Sequence, residues 1–159
     1  MSGWGDFAVV MGAATAGLLG LLFVAVSIRV EMIAKSAELR NRSAQTLTLL
    51  LTGLLVAALL AVPDQRKWAL GAEYLALALV VTGVALILDR RAGGQRGSPI
   101  GRRLDAINPT VVTCSLLVIA ALVLILGYED GIYVLVPALV AVLVGGVVNA
   151  WLILVRLTD

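Results

Sequence analysis

Apolar and polar positions do not alternate along this chain; they come in blocks. Uninterrupted or nearly uninterrupted apolar runs occupy about residues 8–28, 44–62, 69–88, 110–126 and 132–155, separated by short charged links. The last run, IYVLVPALVAVLVGGVVNAWLILV, holds 24 residues without a charge, more than the roughly 20 helical residues that cross a hydrocarbon layer. A helix that is apolar on every face is buried in protein or lipid. The pattern therefore predicts an all-α membrane protein, a single transmembrane helical domain over 1–159 with five transmembrane helices and short loops.

The links carry their own signals. In 29–43, Glu31 with Lys35 and Glu38 with Arg42 are acid-before-base pairs four residues apart, the favourable order on a helix face. The first helix is expected to project beyond the bilayer or bend along it there. Residues 63–68 and 127–131 have room only for tight turns between antiparallel neighbours. The link 89–109 holds glycines at 93, 94, 97 and 101 and Pro99, which predicts a loop. At its end Asn108 and Pro109 read as a helix start, with proline in the first turn. Pro137 removes a backbone donor from the fifth run and is expected to bend it.

Composition strengthens the membrane reading. Of 159 residues, 61% are hydrophobic and 14% charged, against about 25% charged in ordinary soluble domains. The opening MSGWGDF carries Asp6 and no basic residue, unlike the positive start of a secretory signal, so the first run is expected to remain as a span. Charge then sets the orientation. With five spans, one side holds ten of the twelve basic residues and the other holds Arg66 and Lys67. Basic links stay in the cytoplasm, which predicts the N-terminus outside and the C-terminus cytoplasmic. Usage rich in Ala, Gly, Leu, Val and Arg suits a GC-rich genome, and the expected home is the bacterial cytoplasmic (inner) membrane.

Small residues mark helix-packing faces: Gly12, Ala16 and Gly20 with Gly17 beside them in the first run, Gly53 in the second, and Ala141 and Gly145 in the fifth. Such steps let backbones approach closely, either within the chain or between copies. Arg90, Arg91, Arg96, Arg102 and Arg103 suit lipid headgroups or a docking partner. No aromatic residues interleave them as nucleic-acid platforms require, so no nucleic-acid partner is expected.

Chemistry is sparse. There is no histidine and a single cysteine, Cys114, so the usual ligands of zinc, haem and iron-sulfur groups are missing. No metal and no cofactor are expected. Glu73 is the one acid inside an apolar run, and Ser115 has no His or Lys near it in sequence; neither the paired acids nor the activated nucleophile of an intramembrane hydrolase is visible. No enzyme activity is expected.

Ionisable groups at membrane depth are functional suspects. Glu73, Asn149, Arg29 and Glu31 are the pore or gating candidates: Glu73 near the outer mouth, Asn149 in a wall, and Arg29 with Glu31 at the inner mouth. The plainer alternatives are an interfacial carboxylate for Glu73 and interhelical hydrogen bonding for Asn149. The expected function is a homo-oligomeric pore or small ion channel of undetermined selectivity, associating with itself and with lipids. The alternative is a membrane scaffold or regulatory subunit that binds another membrane protein.

Overall fold

The computed structural model describes residues 4–92 and 109–156. Helix α1 runs Trp4–Ile28, a short α2 Val30–Lys35, α3 Ala37–Leu60, α4 Lys67–Ala92, α5 Pro109–Ile125 and α6 Leu135–Arg156, with a single 3-10 turn at Glu129–Ile132. No strand occurs among the described residues. Four segments are long and apolar enough to cross a membrane: Trp4–Ile28, Leu39–Leu60, Lys67–Leu88 and Asp130–Ile153; Pro109–Ile125 is a shorter apolar helix of 17 residues. This is an all-α, multi-pass membrane architecture.

Local chemistry sets the helix ends. The 29–43 link is helical for most of its length, broken at Arg29 and again at Ser36. Ser36 leaves the helical region and accepts the Leu39 N–H at 3.3 Å, satisfying one of the unpaired donors at the start of α3. Helix α3 thus begins seven residues ahead of the apolar run at 44. The link also folds back: Ile33 is buried against Ile153 near the end of α6. At the far end of α5, Gly127 takes φ +90°, and the N–H groups of Gly127 and Tyr128 return to the carbonyls of Leu124 and Val123. A residue in that backbone region is a common helix stop, and glycine fits it without strain.

Pro137 is the third residue of α6. An N–H at that position has no helical partner in any case, so the proline costs α6 no internal hydrogen bond and the reason for the expected bend falls away.

Helices α3, α4, α5 and α6 form a ring, each packed on its two neighbours, and α1 lies outside it against α3 and the edge of α6. Contacts fix the directions. Gly53 of α3 faces Val142 of α6, and Gly146 faces Leu50. Gly71 of α4 faces Ala121 and Ile125 of α5, and Gly145 of α6 faces Pro109. Neighbours in the ring are therefore antiparallel, and α5 lies alongside α4 at one end and α6 at the other. The ring encloses Val56, Tyr74, Ala78, Leu117, Ala120, Leu124, Leu135 and Leu139. Helix α1 is peripheral: 17% of its apolar window is buried, against 44% for α3 and for Asp130–Ile153.

Candidate functional site

The polar end between α3 and α4 is built by one strained turn. Beyond Leu60 the chain turns through Pro63 and Asp64, and Asp64 adopts φ 54°, a region that Asp tolerates better than most residues. This returns Gln65 over the first turns of α4, where its side-chain nitrogen donates to a Glu73 carboxylate oxygen at 2.5 Å. A carboxylate only accepts, so Glu73 fixes which way the amide points. The Gln65 oxygen is then left buried without a hydrogen-bond partner. Glu73 itself is half-buried and Arg66 is exposed. The hydrogen-bond partner of Glu73 is thus Gln65, eight residues before it.

Tyr74, next along α4, is fully buried, and its hydroxyl donates to the Val56 carbonyl of α3 at 3.3 Å. It is a core residue, not the boundary aromatic that its place near the start of the run suggests. Trp4 and Tyr133 do meet, edge to face at 5.1 Å between ring centroids, and Phe7 stands against Trp4 at 5.7 Å. Trp68 and Tyr128 are exposed. Aromatics in this setting suit a membrane-water boundary.

The remaining pore candidates lie elsewhere. Asn149 is half-buried on α6, one turn beyond Gly145, which packs on the start of α5, whereas Glu73 is near the level of the α5 end. The length of α5, about 25 Å at 1.5 Å per residue, separates those levels. Arg29 and Glu31 are exposed at the break between α1 and α2. The structure thus does not gather Glu73, Asn149, Arg29 and Glu31; it distributes them, with apolar core between. Among the described residues no three His, Cys, Asp or Glu side chains come together as a metal site. Cys114 of α5 is buried on the side of Thr82 of α4.

The small residues divide sharply. A Cβ on Gly53 would stand 2.6 Å from Val142 and 3.0 Å from Thr15, and one on Gly145 would collide with the Pro109 ring. One on Gly12 would touch Ala57 at an ordinary 3.4 Å. Ala141 is half-buried. Gly17 and Gly20 meet nothing within 4 Å, and Ala16 is exposed with them. Gly71, Gly131 and Gly146 also make close approaches and escaped notice in the sequence, because none belongs to a run of four-residue steps. Arg90 is exposed in the last turn of α4 and Arg91 follows it there; Arg96, Arg102 and Arg103 lie outside the described residues. Compared with known proteins, the chain matches no family model, no curated protein and no solved structure.

Proposed function

We propose that this protein crosses the membrane five times and works as a homo-oligomer, passing small ions along a path between its copies. The observation that carries the reading is the outward face of α1, where Ala13, Ala16, Gly17 and Gly20 are exposed and a Cβ on Gly17 or Gly20 would meet no other part of the chain within 4 Å. Small-residue faces admit a second helix at close range. The interior of one copy is filled with apolar side chains, so in this reading the path runs between copies. The antiparallel fit of α5 between α4 and α6 supports a fifth crossing, since its 17 residues reach about 25 Å, close to the hydrocarbon thickness. The distribution of basic residues supports a cytoplasmic C-terminus, and with the composition it supports a bacterial inner membrane. No catalytic step belongs to the reading.

Purified protein in liposomes is expected to release a trapped ion, at a rate altered by Glu73→Gln and by Asn149→Leu. Tight vesicles at high protein load would reject conduction. The closed core favours a second reading in that event, a scaffold for another membrane protein, which predicts a different protein retained on mild detergent purification.

Topology has its own test. Cysteines replacing the exposed Arg66 and Arg90, one at each end of α4, are expected to differ toward a membrane-impermeant thiol reagent in intact cells, with Arg66→Cys modified and Arg90→Cys protected. The opposite pattern would invert the orientation.

A further inference from the structure

Charge is divided unequally between the two ends of the bundle. At one end α1 and the antiparallel α4 and α6 finish while α3 and α5 begin. Residues 29–43, 89–92 and 156 lie there, with seven basic and three acidic residues among them. Residues 4–6, 63–73 and 127–133 lie at the other end, with two basic and five acidic. The formal balance is +4 at the first end and −3 at the second.

The link that brings four of those cations is held in place. Helix α2 folds back so that Ile33 is buried with Ile153 of α6. Arg40 donates one guanidinium nitrogen to the Ala34 carbonyl at 3.5 Å, across the break at Ser36; a guanidinium has five donors, so this bond does not exhaust it. The Tyr74–Val56 hydrogen bond sets the level. Sixteen residues back along α3 from Val56 is Arg40, and sixteen forward along α4 from Tyr74 is Arg90, about 24 Å in each case. Two exposed arginines on neighbouring helices thus share one level, with Lys35 exposed at the end of α2. Arg29 and Arg42 have interactions of their own within the chain and count here for their charge alone.

The same end also needs apolar cover. Ile28 is 74% exposed and Val30 56%, on either side of Arg29, and Trp151 is exposed in the last two turns of α6. A soluble acidic partner or a free anion would meet the charge and leave these side chains in water. An anionic amphiphile meets both.

We infer that this end of the bundle gathers anionic phospholipids, with headgroup phosphates at Arg40, Arg90 and Lys35 and acyl chains along Ile28, Val30 and Trp151. A zwitterionic headgroup brings no net charge to set against the surplus of cations, and the opposite end repels anions. The inference requires a membrane at this end and neither conduction nor self-association, so its failure and theirs are separate outcomes.

Native mass spectrometry of the intact protein, released from nanodiscs with equal amounts of phosphatidylglycerol and phosphatidylcholine of the same acyl chains, tests it. Phosphatidylglycerol is expected to be retained about ten-fold over phosphatidylcholine at low salt. Lys35→Gln combined with Arg90→Gln is expected to lower that preference about five-fold, whereas Arg66→Gln, exposed at the other end, leaves it unchanged. Should the double variant lose its thermal unfolding transition, Arg90→Gln alone decides, with an expected loss of about two-fold. Equal retention of the two lipids, the result if the cations serve a soluble acidic partner instead, would overturn the assignment. So would a preference that survives removal of these cations, or one that falls as far in Arg66→Gln.

Discussion

Gly145 and Gly17 belong to stripes that look alike in sequence, yet they have opposite surroundings. Gly145 lies under the Pro109 ring with Leu49 at 3.3 Å from where a Cβ would stand; Gly17 has nothing within 4 Å. The stripe on α6 is used up by the chain's own ring of helices, and the stripe on α1 is not. A small-residue period therefore reports that a helix can be approached closely, and packing alone reports by whom.

Side chains added at these glycines test that contrast. The largest effect is expected from Gly145→Ala, because the obstacle is a rigid ring in the first turn of α5: a loss of about 2–3 kcal/mol, read from the unfolding midpoint in mixed micelles. A loss below about 0.5 kcal/mol would mean that α5 and α6 do not meet there. Next in size, Gly17→Leu together with Gly20→Leu is expected to weaken self-association about tenfold, or 1.4 kcal/mol, measured by energy transfer between labelled copies in liposomes. Unchanged transfer would remove α1 as the contact face. The smallest effect has the opposite sign. Gly17→Ala is expected to raise the stability of the isolated copy by up to about 1 kcal/mol through helix propensity, and a loss would show that something covers this glycine.

Much of the helical framework is legible in the sequence, because a hydrocarbon layer demands long apolar runs and the turns at Pro63 and Gly127 interrupt them plainly. Which face each helix turns inward is not. In water the core face is apolar and the other polar; in lipid both are apolar, so α1 and α4 carry almost no amphipathic signal to say that Tyr74 is core and Gly17 is surface. Extension of α3 back to Ala37 was hidden for a related reason: charged residues in 37–43 read as a link although Ser36 caps a helix there. At the polar end, Glu73 stood out as an acid in an apolar run. Its partner Gln65 did not, since only the left-handed turn at Asp64 carries that side chain back across eight residues.

The helical framework carries threonines whose hydroxyls bond within their own helices, and this bears on how the protein is made. Thr46, Thr48 and Thr52 of α3 donate to the carbonyls of Arg42, Ala44 and Thr48, Thr15 of α1 to Met11, and Thr82 of α4 to Ala78. Each of these hydroxyls is satisfied within its own segment. A segment leaving the translocation machinery can therefore enter the bilayer with these hydroxyls already satisfied, and lateral docking follows as a separate event steered by shape.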